Sequence, residues 1–417
     1  MKILIIASNY PYSGHPASGI FNERCAMVLQ ELCDHIEVVS PRPYVPPLLS
    51  SLVPRWKAYS SIKEYESRNE ISVHRPASPV IPYVAGSFWF DRGAFFRCRQ
   101  RIRELNDKVR FDAIISFDLL GAGGIAWRAG QDLGIPTCGW ATGDDVLIPP
   151  SPAYARVVIR ALERLDLVFY QSQELMAKAA DLLGTTLDRL SNKRHMVLPR
   201  GIPAPPLLAR SAIRSRVRAE LGLSEDQVLV VNIGRISREK AVLELVDAFS
   251  MAIARNPRLV CLLIGSLPAF DDSNAVREKL EKTPGTRERV KLLPACSTDK
   301  VAEYLCAADI FAFASYHEGM PNSLLEAMAM GVPSVAFAIP PVLELEGGTG
   351  ALVAVPPFNS ALFSQAILHV AESAANRTDM EKKGKARVME RYMMRKNMAS
   401  ALDRLAPLTG LQKCKVG

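Results

Sequence analysis

No apolar run in this chain approaches the roughly 18 residues that a membrane-spanning helix needs, which argues against a transmembrane protein. Its eight cysteines contain no CxxC pair, so neither a thioredoxin-type redox motif nor a zinc ribbon is encoded. Reduced thiols, several of them buried, fit a cytosolic chain. The six histidines are scattered without HxxxH or HExxH spacing, and no metal site is expected. No secretory leader is expected either. MKILIIASNY has one lysine and a short apolar run before polar residues and prolines, which reads as a first buried strand. Finally, no strand runs into G-x-G-x-x-G. SNYPYSGHPASG follows the first strand, a lone Gly234 ends the strand at 227–234, and GAGG at 121–124 has the wrong spacing. A plain nicotinamide or flavin enzyme is therefore disfavoured.

What the chain does have is length and apolar content. At about 100–200 residues per domain, 417 residues suggest two domains. A hydrophobic share of 48% against 23% charged residues can bury a core and rules out a disordered type. The net charge of +8 favours an anionic partner: nucleic acid, a membrane surface or a phosphorylated ligand. Residues 1–210 hold 25 Lys and Arg against 20 Asp and Glu, so the excess is spread over both halves.

Short apolar runs bounded by turn residues alternate with helical patterns. KILIIAS (2–8), HIEVVSP (35–41), DAIISF (112–117), PTCGWAT (136–142), DLVFYQS (166–172) and MVLPR (196–200) read as strands, and IFNERCAMVLQELC (20–33) and GIAWRAGQDLG (124–134) as helices. Proline-rich GIPAPPLLARS (201–211) reads as a linker. The alternation then restarts through QVLVVNIG (227–234), LVCLLIG (259–265), RVKLLP (289–294), DIFAFAS (309–315), PSVAFA (333–338) and ALVAV (351–355). The fold class is therefore α/β: two Rossmann-like, doubly wound parallel-sheet domains, over 1–203 and 204–390, with a ligand cleft between them. A helix within 391–417 is expected to return to the first domain.

Two stretches carry candidate chemistry. In HEGMPNSLLEAMAMGVP (317–333), Glu318 and Glu326 stand on either side of a Gly–Pro turn. Asn322 or Ser323 suits a helix N-cap, and Ser323 with Glu326 matches the capping box S-x-x-E, which alone would explain Glu326. The other reading uses the same geometry. Free amides near 323–325 and the helix N-terminus would favour a diphosphate, and Glu326 would accept hydrogen bonds from ribose hydroxyls. In VLVVNIGRISREK, Arg235 directly follows a strand and Lys240 opens the next helix. Two cations five residues apart suit a phosphate pair, although Arg and Lys are also common in solvated turns.

The order G-R-x-x-x-x-K (234–240), then E-G-x-P-x-x-L-L-E-A-M-A-x-G-x-P (318–333), closely resembles the retaining glycosyltransferases of family 4, which have the GT-B fold. YPYSGHPASGIFNERCAMVLQEL (10–32) looks like that family's glycine-rich loop and helix, and ATGDDV (141–146) looks like its H-G-x-D-type element. The resemblance implies that Arg235 and Lys240 bind the donor diphosphate, that Glu326 binds the donor ribose, and that the backbone at Asn322, Ser323 and Leu324 helps hold phosphate. It places Glu318 near the transferred sugar and Gly19 close to the donor phosphate. Three departures stand out: Ala241 replaces the usual glycine, Arg200 replaces a frequent asparagine, and Thr142 replaces a frequent histidine before Gly143, with Asp144 and Asp145 following.

The implied reaction transfers a sugar from a UDP- or GDP-sugar with retained configuration, needs no cofactor and no metal, and belongs to cell-surface polysaccharide assembly. Domain closure over the donor would exclude water. The acceptor would be a glycan, with a lipid-linked one fitting the basic segment 87–110. SFWFDRGAFFRCRQRIRELNDKVR (87–110), with seven Arg or Lys residues behind a cluster of aromatics, is a candidate for lying on an anionic membrane surface, and PYVPPLLSSLVPRW (43–56) adds apolar residues. The alternative is that these aromatics join the core and the arginines are a solvated face. Localisation is read as cytoplasmic, with peripheral attachment a candidate. Nucleic acid is not expected, since no reader motif is present. Other GT-B sugar enzymes, such as an epimerase or a phosphorylase, and a silent sugar-nucleotide-binding subunit are the competing readings.

Overall fold

The computed structural model describes residues 1–15, 18–45, 57, 59–79, 92–143, 145–147, 151–265, 272–283 and 285–410. The chain divides into two compact units, Met1–Arg200 with Met394–Gly417, and Gly201–Met393. Each is a helix-covered, Rossmann-like α/β sheet.

In the first unit the strands are β1 (Lys2–Ile6), β2 (His35–Val39), β3 (Arg42–Tyr44), β4 (Tyr65–Arg68), β5 (Ile71–His74), β6 (Ala77–Pro79), β7 (Ala113–Ser116), β8 (Thr137–Ala141), β9 (Leu167–Tyr170) and β10 (His195–Val197). The main sheet runs β10-β9-β8-β7-β1-β2-β5-β4, and β3 pairs with β6 apart from it. The apolar runs KILII and AIIS are buried because helices cover both faces of a parallel sheet. One strand breaks the expected parallel pattern: β4 is antiparallel to β5. Asn69 and Glu70 join them with φ of 47° and 64°, the two left-handed residues of a type I′ hairpin. That turn carries no glycine, so its sequence gave little sign of it. MVLPR shortens to a strand ending at Val197. The helix Met394–Leu405 packs in this unit, burying Met394, Met398, Ala401 and Leu405 in the same cluster as Cys25, Ala26 and Leu29 of the helix Ile20–Leu32.

In the second unit the strands are β11 (Val228–Ile233), β12 (Leu259–Gly265), β13 (Val290–Pro294), β14 (Ile310–Phe313), β15 (Ser334–Phe337) and β16 (Val353–Val355), in the order β13-β12-β11-β14-β15-β16, all parallel. The order reverses beside β11, between β12 and β14. Open α/β sheets form ligand crevices at such a switch, outside the carboxyl ends of the strands. The proline-rich linker ends sooner than its composition suggests, because a helix begins at Arg210 and runs to Glu220. Arg218 of that helix is buried and reaches Asp309 at 3.1 Å, which anchors it.

Candidate functional site

The switch point in the second unit is built by two loops. The first leaves β11 through Gly234 and Arg235, makes a 3-10 turn over Arg238–Lys240, and enters the helix Val242–Arg255. The second leaves β14 and reaches the helix Asn322–Ala329. They are stitched together. The amide of Tyr316 donates to the Glu239 carbonyl at 3.0 Å, and the buried Ser315 hydroxyl lies 3.3 Å from the same oxygen. Below them, Asn232 of β11 donates its side-chain amide to the Ala312 carbonyl of β14 at 2.9 Å.

This stitching brings Lys240 and Glu318 into direct contact, Nζ donating to Oε1, with only 20% and 13% of the two side chains exposed. Residues 78 positions apart thus share one ion pair at the carboxyl edge of the sheet. Arg235 does not join them. Its side chain is 58% exposed and reaches Glu239 at 3.1 Å. Each cation instead rests on a carboxylate of its own loop cluster. Ala241, which follows Lys240, is buried and holds φ 46° and ψ 38°, the left-handed region that the usual glycine adopts freely.

The capping box expected from Ser323 and Glu326 does not form. The helix starts at Asn322 with Pro321 at the N-cap position and no side-chain cap, so Ser323 and Glu326 both lie inside it. The cause is Pro321, whose carbonyl accepts the first helical bond, from Leu325, two residues earlier than a Ser323-capped start would allow. Not every amide over 323–325 is open, as the sequence had suggested: Leu325 is used by Pro321, and Asn322 donates to Met320 at 3.0 Å. The first-turn amides of Ser323 and Leu324 remain as donors at the helix start. Asn322 Oδ1 is buried with no partner among the described residues. Glu326 lies half-buried on the second turn of the helix.

Tyr316, next to this site, is stacked between Phe337 and Phe358, with ring centroids 6.1 and 4.1 Å away. Neither Tyr316 nor Phe358 is visible as a site residue in sequence. They rigidify the loop that presents Glu318.

The first unit gathers a second loop cluster at the carboxyl ends of β1, β7 and β8. Asp118, after β7, accepts from the Ser8 amide and hydroxyl at 3.0 and 2.7 Å, and from the amides of Gly121 and Ala122 at 2.8 Å each. Asp145 accepts from the amides of Thr142 and Gly143, both at 3.0 Å, and of Leu119 at 3.1 Å, and from the Thr142 hydroxyl at 3.4 Å. Burial pushes the Asp145 carboxyl up to about 6, nearby Asp118 pushes the same way, and the backbone amides oppose both. Thr142, Gly143 and Asp145 therefore form one tied turn, whereas Asp144 lies outside the described residues. Asp118 was missed in sequence, although an aspartate at a strand end before Gly–Ala–Gly–Gly is a helix-start signal. Gly19 has φ 72°, and a Cβ there would stand 2.8 Å from the Asn9 carbonyl, so its own loop already requires glycine.

The aromatic start of the basic segment, 87–91, and most of 43–56 lie outside the described residues. The rest of the basic segment forms the amphipathic helix Ala94–Val109. Phe95, Cys98, Ile102 and Leu105 are buried, Phe96 is exposed, and Arg99 and Arg103 both grip Asp132 at 2.7 and 2.6 Å. No helix among the described residues is long and apolar enough to cross a membrane, and none of their His, Cys, Asp and Glu residues cluster as metal ligands.

Two Rossmann-like units of this topology define the GT-B fold. The chain superposes on the crystal structure of Anabaena HepE in complex with UDP with a TM-score of 0.72, at 18% identity, over 98% of this chain and 100% of that one. Within the second unit, residues 213–387 match the family described as glycosyl transferases group 1, a span that holds Arg235, Lys240, Glu318 and Glu326. The chain is 28% identical over 363 residues to the teichuronic acid biosynthesis glycosyltransferase TuaC of Bacillus subtilis, covering 87% of each. It is 35% identical over 144 residues to a D-inositol 3-phosphate glycosyltransferase of Mycobacteroides abscessus, covering 34% of this chain and 31% of that one. Together these matches support a glycosyltransferase built on the GT-B fold.

Proposed function

We propose that the protein transfers a sugar, with retention at the anomeric carbon, from a UDP- or GDP-sugar to a glycan acceptor in cell-surface polysaccharide synthesis. The observation that carries this is the Lys240–Glu318 pair at the sheet's switch point, beside the open amides at the start of the helix Asn322–Ala329. A diphosphate entering here competes with Glu318 for Lys240 and with Glu239 for Arg235. It gains a point charge, a planar fork and the helix N-terminus. Those groups stabilise the negative charge that grows on the leaving diphosphate, a role that a divalent cation fills in other transferases. Once Lys240 turns to phosphate, Glu318 is released to face the sugar, where it orients hydroxyls or balances developing positive charge. Glu326, on the second turn of that helix, accepts from the ribose.

The link to polysaccharide synthesis rests on the likeness to TuaC, and the nucleotide donor on the likeness to HepE, whose crystal structure holds UDP. A lipid-linked acceptor and attachment to an anionic membrane face through residues 87–110 belong to the same reading. The helix Ala94–Val109 supports attachment with one exposed phenylalanine, while Asp132 neutralises part of its charge.

Calorimetric titration with UDP, GDP, ADP and CMP, without metal, tests the donor site. One nucleotide is expected to bind, and Lys240→Ala and Glu326→Ala are each expected to weaken it at least about tenfold, the scale of one charge-assisted hydrogen bond. Undiminished binding in both variants would remove the site from this position.

A further inference from the structure

Among the described residues, Arg200 has no carboxylate partner. It closes the first unit after β10 and is buried, with 4% of its surface exposed. Its guanidinium lies over the rings of Phe21 and Phe117, 5.1 and 5.7 Å from their centroids. Nη1 donates to Asn22 Oδ1 at 2.8 Å, and Nε is buried without a partner. The Cys25 thiol nearby offers no counter-charge, because burial raises its pKa, against the pull of Arg200 and Arg24. The two other buried arginines differ: Arg75 reaches Glu66 at 3.4 Å and Arg218 reaches Asp309 at 3.1 Å.

An unpaired charge out of water is costly, and aromatic faces and one amide oxygen offset only part of that cost. Its location gives the cost a purpose. Asn22, the residue Arg200 touches, also donates to the Asn9 carbonyl at 2.7 Å, and Asn9 accepts from Ser18 at 2.9 Å, beside Gly19. Phe117 immediately follows β7. The cation thus lies between the first turn of the helix Ile20–Leu32 and the segment that follows β7, at the carboxyl end of a parallel strand, where ligands of such sheets bind.

We propose that Arg200 is the anion-recognition point of the first unit, and that the acceptor sugar carries an acidic group, carboxylate or phosphate, that completes its pairing. This rests on the glycosyltransferase reading but concerns the acceptor, not the donor. Asparagine at this position would give a neutral amide suited to a neutral sugar; Arg200 selects for charge.

The test titrates glucose, glucuronate and glucose 1-phosphate into the full chain, with and without the nucleotide that binds. One acidic sugar is expected to bind at least about tenfold tighter than glucose, as for a hydrogen bond to a charged group, and which one binds identifies the acid. Arg200→Gln is expected to erase that preference while nucleotide affinity is unchanged. Asn22→Asp keeps the guanidinium but supplies a carboxylate in place, so it is expected to erase the preference as well and covers the case in which Arg200→Gln does not fold. Equal binding of all three sugars by the native chain, or a preference that survives either folded variant, overturns the proposal. Absent nucleotide binding would overturn the donor reading instead and leave the sugar comparison to decide Arg200 alone.

Discussion

Asp145 shows what a single buried carboxylate does for the first-unit loops. Its pKa is raised to about 6 by burial, with Asp118 adding to it. The folded state therefore holds this proton more tightly than the unfolded chain, where an aspartate titrates near 4. The stability it contributes is fully present below about pH 4 and is lost as pH rises through about 6, an effect of order 3 kcal/mol. Asp145→Asn is expected to abolish that pH-dependent part, read as the difference between variant and native urea-unfolding curves at pH 4 and 7. At pH 4 the variant is expected to be weaker by about 1–3 kcal/mol, because an amide cannot accept from Leu119, Thr142 and Gly143 at once; at pH 7 this is offset, since the variant is spared the cost of the buried charge. At this scale the sequence was only partly legible. The positions of Glu318 and Lys240 were visible, but not that they meet, since a contact across 78 residues depends on how two loops are stitched. Glu326 matched a capping box that Pro321 pre-empts, a competition that spacing alone does not resolve.

Helices and strands were the most legible level. Strands β11 to β16 fall inside the apolar runs read from sequence, because burial on both faces leaves each a continuous apolar segment. The misses are local: the I′ hairpin without glycine, and the helix Arg210–Glu220, five of whose eleven residues are charged and whose burial rests largely on Val217 and Arg218. Helix entry at Ala241 makes a separate prediction. A left-handed non-glycine residue costs about 1–2 kcal/mol. Ala241→Gly relieves this but gives up a buried methyl worth about 0.8 kcal/mol and adds backbone freedom to the unfolded chain. Its unfolding free energy is therefore expected to stay within about 1 kcal/mol of native. Ala241→Val places a branched side chain at positive φ and is expected to destabilise by more than about 2 kcal/mol and to weaken nucleotide binding, through displacement of Lys240. Equal stability of the two variants would mean that the turn does not hold its backbone as described.

For the whole molecule, the two-unit organisation followed from the restart of strand–helix alternation after a proline-rich stretch. The chain's return to the first unit through Met394–Leu405 followed only from resemblance, since nothing in that helix's own pattern names its partner. Retaining transfer from a nucleotide sugar, as proposed, would be an activity of the whole chain, and water is the simplest acceptor that tests it. Proton NMR during slow hydrolysis of UDP- or GDP-α-sugars, with chelator present, reports the anomer formed first, before mutarotation. The α-anomer is expected from one donor, with the rate reduced at least about a hundredfold in Lys240→Ala, because a group stabilising transition-state charge is removed. The β-anomer formed first, or a rate indifferent to Lys240, would contradict that proposal.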